Sequence, residues 1–148
     1  MAYTSALSAY RETKVKTASQ GQLIVMLYEK AVQHLDQGLK LLELNAAGKK
    51  DPGKIEKISS SILKTQEIIT ELMVSLDFDQ GGEIARNLFS LYTWFNQELF
   101  EANISQDPVR ARTVRNMLND LRSAWSEISG TNTVDNSQKQ PVGINLAG

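Results

Sequence analysis

Ile55, Ile58, Ile62, Thr65, Ile69, Leu72 and Leu76 recur at alternating steps of three and four. That spacing holds one stripe on one side of a helix over six turns, whereas a strand, with its period of two, would scatter the same residues over both faces. Three further stripes share the period. Ile24, Leu27, Tyr28, Ala31, Leu35, Gly38, Leu39 and Leu42 form one; Ile84, Leu88, Leu91, Phe95, Leu99 and Ala102 form another; Val114, Met117, Leu118, Leu121, Trp125 and Ile128 form the last. Start signals precede three of the four: Ser19 with Gln22 three residues on, Asp51 with Pro52, and Asp107 with Pro108. Connections this short force sequential helices to run antiparallel. The expected fold is all-α, an antiparallel four-helix bundle over residues 19–129 with an extra short N-terminal amphipathic segment.

The ends read differently. In residues 1–18, Tyr3, Leu7 and Tyr10 stand at i, i+4 and i+7, so a helix there would present all three on one side. A helix that short is marginal without a surface to lie on, which makes this segment a candidate cover for an apolar groove. Residues 130–148, GTNTVDNSQKQPVGINLAG, are polar and lack helical period, as a flexible C-terminal tail would.

The stretch SLDFDQGGEIARNLFSLYTWF, residues 75–95, crowds Asp77, Asp79, Gly81, Gly82 and Glu83 together. A calcium loop needs oxygen ligands at alternate positions, a sixth-position glycine and a closing glutamate at the twelfth. Asp77, Asp79 and Gly82 fit, but Gly81 and Leu88 stand where two ligands belong. A helix-to-helix corner fits better, with Gly81 or Gly82 supplying the left-handed residue and Glu83 near the next helix's positive end.

At 148 residues the chain suits one domain. It contains no cysteine, so disulfides and thiolate metal sites are excluded. With no apolar run near membrane-spanning length and no leader pattern, a cytoplasmic setting without membrane insertion is expected. Sixteen basic residues against seventeen acidic ones leave no general electrostatic footprint for nucleic acid. Arg110, Arg112, Arg115 and Arg122 do gather on one segment, which reads as a solvated helix face.

Catalytic schemes find little here. The single histidine, His34, lies among Gln33, Asp36 and Gln37, and no second histidine exists for a Glu-x-x-His di-iron pair. Gly48 and the lysines after it lack the first glycine, the Ser or Thr and the preceding strand of a phosphate-binding loop. Neither an enzyme, a metal site nor a cofactor is expected, so function falls to surfaces. Val25, Met26, Ile68, Met73, Phe78, Phe89, Tyr92 and Trp94 all stand off the inner stripes. Such two-sided helices are either central to their bundle or leave an apolar groove for a partner helix.

Four pieces of the sequence, in order, are AYRETKVKTASQGQLIVMLYEKA at 9–31, IITELMVSLDFDQGGEIARNLFSLYTWF at 68–95, LFEANI at 99–104 and LRSAW at 121–125. Together they resemble the flagellar secretion chaperone FliS family. TAS before a helix containing MLYE, followed by LD and GGEIA-NL--LY, carries the likeness; Gln20 departs from it where the family often has proline. The resemblance implies an export chaperone that captures the disordered C-terminal segment of flagellin, prevents its premature polymerisation and delivers it to a flagellar export gate component. Partner-binding residues are expected where the likeness is dense and the N-terminal stripe amphipathic: Leu7, Tyr10, Leu23, Met26, Leu27 and Tyr28. Leu27 also suits a purely structural role, and Tyr28 is balanced between the two. The competing expectation is a structural or signalling bundle that associates with itself through the same apolar rows.

Overall fold

The computed structural model describes residues 20–48 and 50–135, with residues 130–135 as backbone only. They form α1 (Gln20–Ala47), α2 (Pro52–Val74), α3 (Phe78–Ser105) and α4 (Pro108–Asp135). α1 packs against α2 and α4, and α3 packs against the same two helices, so α1 and α3 face each other across the diagonal. The all-α four-helix bundle expected from the four stripes is the observed fold. Tyr3, Leu7, Tyr10, Ser19 and the rest of the N-terminal segment lie outside the described residues, as do residues 136–148.

The helix starts follow the local chemistry. Asp51 Oδ1 accepts from the Gly53 N–H at 3.0 Å and Pro52 opens α2. Asp107 Oδ1 accepts from the Val109 N–H at 2.9 Å and Pro108 opens α4. Each cap satisfies an N–H that the helix itself leaves unpaired.

Residues 75–83 make the corner in two steps. α2 ends at Val74 with Ser75 as its cap, and Asp77 caps α3 by accepting from the Gln80 N–H at 3.0 Å. α3 then kinks inside its second turn at Gly82, with φ 50° and ψ −119°. Of the two candidate glycines it is Gly82 that carries the unusual backbone, in a region essentially closed to residues with a β-carbon. The aspartate that suggested calcium is therefore committed to a backbone N–H.

α1 is the central helix of the core. It buries Ile24, Leu27, Tyr28, Ala31, Leu35, Leu39 and Leu42 against Ile58, Ile62, Ile69 and Leu72 of α2 and Ala111, Val114, Leu118 and Trp125 of α4. Removing one such large side chain from water contributes about 1.5–3 kcal/mol. Gly38 permits the close approach of α1 to α2: a β-carbon there would stand 2.9 Å from Ser61 Cβ. Tyr28 of α1 and Tyr92 of α3, both buried, join the diagonal helices through their hydroxyls.

Two stripes end earlier than the periodicity suggests. Ile84, expected inside, is exposed because the kink at Gly82 leaves it in the first turn of the restarted helix, where the bundle ends. Ile128 is exposed near the end of α4. That helix continues to Asp135, into the residues expected to begin a tail, since propagating a formed helix costs far less than nucleating one.

Candidate partner-binding surface

The surplus apolar residues gather on α3. Its inner face is Ala85, Tyr92, Phe95, Leu99 and Ala102, spaced by threes, fours and sevens. The rest of the helix carries Phe78, Ile84, Phe89, Trp94, Phe100 and Ile104, all exposed, and these are six of the eleven large exposed apolar side chains among the described residues. A stable helix gains nothing from keeping a phenylalanine in water, so this concentration makes α3 the candidate surface for a partner.

α2 supplies the other wall. Gln66 Nε2 donates to the Asn96 carbonyl at 3.0 Å, and Asn103 Nδ2 donates to Ser59 Oγ at 3.2 Å. These two bonds set the antiparallel register of α2 against α3. In that register exposed Leu63 of α2 comes within one residue of the level of Phe100, and exposed Val74 within one residue of the level of Phe89. Phe78 closes the second end, its ring meeting Phe89 edge-on at a centroid distance of 5.9 Å. The result is a groove between α2 and α3 with apolar side chains at both ends. On the other flank of α3 stands exposed Trp94, three residues after half-buried Leu91, which packs against the core as do Met117 and Leu121 of α4.

The residues singled out on α1 are placed differently. Leu27 and Tyr28 are in the core, and Leu23 is buried as well. Met26 is half-buried, the one of these four with side-chain surface to offer. Leu7 and Tyr10 lie outside the described residues. Of the residues read as standing off the stripes, Ile68 and Tyr92 are buried, Val25, Met26 and Met73 are half-buried, and Phe78, Phe89 and Trp94 are exposed. Leu63, Val74 and Phe100 escaped the sequence reading. Their signal is positional, since each lies one residue after a member of a stripe or its flank: Ile62, Met73 and Leu99.

The arginines of α4 are mostly committed within the bundle. Arg110 pairs with Glu98 of α3 at 2.9 Å, Arg112 with Glu43 of α1 at 2.6 Å and Arg115 with Asp36 of α1 at 2.7 Å, while Arg122 donates to Asn119. His34 is held below its ordinary value by burial and by the charges of Lys30 and Lys64. A histidine kept neutral on a helix flank beside two lysines, with no nucleophile near it among the described interactions, adds no catalytic constellation. Among the described residues no helix is long and apolar enough to cross a membrane.

The family model described as "Flagellar protein FliS" matches residues 3–132. The flagellar secretion chaperone FliS of Salmonella typhimurium is 33% identical over 119 residues, covering 80% of this chain and 82% of that one. The one from Campylobacter jejuni is 32% identical over 129 residues, covering 87% and 94%. The Bacillus subtilis protein is 29% identical over 127 residues, covering 86% and 88%. With most of both chains aligned and a helical bundle common to the expectation and the structure, this chain belongs to the FliS family of flagellar secretion chaperones.

Proposed function

We propose that this protein holds the C-terminal segment of flagellin, disordered when free, as helices laid along the apolar flanks of α3, and delivers it to the flagellar export gate from the cytoplasm. The observation that carries the reading is the concentration of exposed Phe78, Phe89, Trp94, Phe100 and Ile104 on one helix of a member of the FliS family. A disordered ligand loses conformational entropy when it coils, so a useful affinity calls for an extended contact of roughly 1,000–3,000 Å². Both flanks of a 28-residue helix supply such a length. Held there, the segment is withheld from polymerisation until it is handed over.

Within this reading Met26, half-buried on α1, offers the cargo a contact away from the flanks of α3, while Leu23, Leu27 and Tyr28 are buried in the bundle. Leu7 and Tyr10 belong to a segment that either covers the groove in the empty protein or touches cargo directly. Deleting residues 1–8 separates those roles: a cover predicts tighter binding of the cargo peptide, a contact predicts weaker binding.

Calorimetric titration of the full chain with a peptide of the flagellin C-terminal region tests the function. A one-to-one isotherm with a large negative heat-capacity change is expected. A protein that is dimeric alone and indifferent to the peptide overturns the proposal in favour of self-association.

A further inference from the structure

The groove between α2 and α3 has the same pattern on both walls. Leu63, Glu67, Thr70 and Val74 on α2 follow one another at i, i+4, i+7 and i+11; Phe89, Thr93, Asn96 and Phe100 on α3 do the same. Each wall is thus apolar, polar, polar, apolar along one helical face. Because the walls are antiparallel, the apolar ends come within one residue of the same level, Leu63 with Phe100 and Val74 with Phe89, about 16 Å apart along the axis.

The middle of the groove offers acceptors and few donors. The Thr70 hydroxyl donates to the Gln66 carbonyl at 3.0 Å, and the Thr93 hydroxyl to the Phe89 carbonyl at 2.9 Å, so both hydroxyl protons are spent inside their own helices. Asn96 Nδ2 reaches Thr70 Oγ1 at 3.4 Å. What remains is Glu67 Oε2 and Asn96 Oδ1, both shut off from water and neither hydrogen-bonded. Glu67 itself is half-buried and is held in no salt bridge with another described residue. A buried acceptor without a donor is costly to maintain and rare in native proteins unless something uses it.

We infer that this groove reads a helical cargo segment as an apolar, cationic, apolar pattern, with Leu63/Phe100 and Val74/Phe89 gripping the two apolar ends and Glu67, assisted by Asn96, taking a Lys or Arg between them. The inference rests on the cargo-holding function proposed above and adds the chemistry by which one segment is preferred over another apolar helix. Apolar contact supplies most of the attraction and is indifferent to sequence register. A carboxylate fixed midway between two apolar grips rejects any segment that brings an acidic residue, or an apolar one, to that level. The matching cargo carries apolar residues eleven positions apart with a basic residue between them.

The test uses the full chain, the flagellin C-terminal peptide and Glu67→Gln, Glu67→Lys and, as a control, Asp120→Asn at an exposed position of α4. Glu67→Gln is expected to weaken binding about tenfold and Glu67→Lys further, with Asp120→Asn unchanged and neither Glu67→Gln nor Asp120→Asn lowering the thermal midpoint. Replacing the matching basic residue of the peptide by Gln is expected to cost the same factor with the wild-type protein and nothing more with Glu67→Gln. Wild-type binding that persists when every Lys and Arg of the peptide is replaced, or that Glu67→Lys leaves unchanged, overturns this inference alone. A wild-type protein that never binds the peptide removes the proposed function and this selectivity with it.

Discussion

The hydroxyls of Tyr28 and Tyr92 hydrogen-bond to one another in the middle of the bundle, joining α1 and α3 across the diagonal, whereas most contacts among the described helices run between neighbours. Their rings sit 6.5 Å apart at a tilt of 53°. Both residues are buried, and Trp125 of α4 belongs to the same core cluster. One polar contact inside an apolar core therefore specifies how α1 and α3 are aligned.

Removing either hydroxyl strands the other. Tyr28→Phe and Tyr92→Phe are each expected to destabilise the fold by about 1–3 kcal/mol, whereas the double variant is expected to cost less than the two losses added together. Urea unfolding of the four proteins gives the coupling directly. Additive losses would mean that the hydroxyls act separately.

The same pair sets the alkaline limit of stability. Burial raises Tyr28 well above the ordinary tyrosine value, with Tyr92 adding to the rise, and burial pushes Tyr92 from 10.0 up to about 12. Above pH 10 the unfolded chain loses these protons while the folded one keeps them. Stability is therefore complete below that pH and falls as pH rises toward about 12, by about 1.4 kcal/mol per pH unit for each tyrosine. Unfolding free energies measured from pH 8 to 12 are expected to bend downward at about pH 10, and the Tyr28→Phe, Tyr92→Phe double variant to bend less.

Gly38→Val forces α1 away from α2, because its β-carbon would stand 2.9 Å from Ser61 Cβ. Overpacking of this kind costs about 1–3 kcal/mol, a shift of several degrees in the thermal midpoint. Ser61→Gly is expected to restore part of the loss in the Gly38→Val background, and failure of that rescue would place the strain elsewhere.

Gly82→Ala tests the corner by a different mechanism. A β-carbon there meets nothing within 4 Å, so the expected loss of about 1–3 kcal/mol comes from the backbone at φ 50° and ψ −119° alone. Asp77→Ala removes the neighbouring cap and is expected to cost about 1 kcal/mol. A Gly82→Ala protein as stable as wild type would mean that the kink relaxes into a continuous helix.

Phe100→Ser and Phe89→Ser exchange exposed apolar surface for polar surface and are expected to weaken cargo-peptide binding while leaving the thermal midpoint within a few degrees, since neither side chain belongs to the core. Phe95→Ala, buried on the same helix, is expected to cost about 3–5 kcal/mol of stability. Equal losses of stability across all three would move the exposed phenylalanines into a structural role.

The amino-acid sequence by itself determined the four helices, the proline starts at Pro52 and Pro108 and the corner at residues 75–83, because period, capping and backbone freedom are local properties. Family membership was legible too, in TASQGQLIVMLYE and LDFDQGGEIARNL. Tertiary structure alone decided which off-stripe residues face water. Tyr92 and Phe89 both stand off the third stripe, yet Tyr92 turns to meet Tyr28 while Phe89 faces out beside Phe78. Periodicity reports the angle of a residue around its own helix. Whether a neighbour stands at that angle depends on how the helices are arranged and registered, and for α2 and α3 that register is set by Gln66 on Asn96 and Asn103 on Ser59, residues 30 and 44 positions apart in the chain.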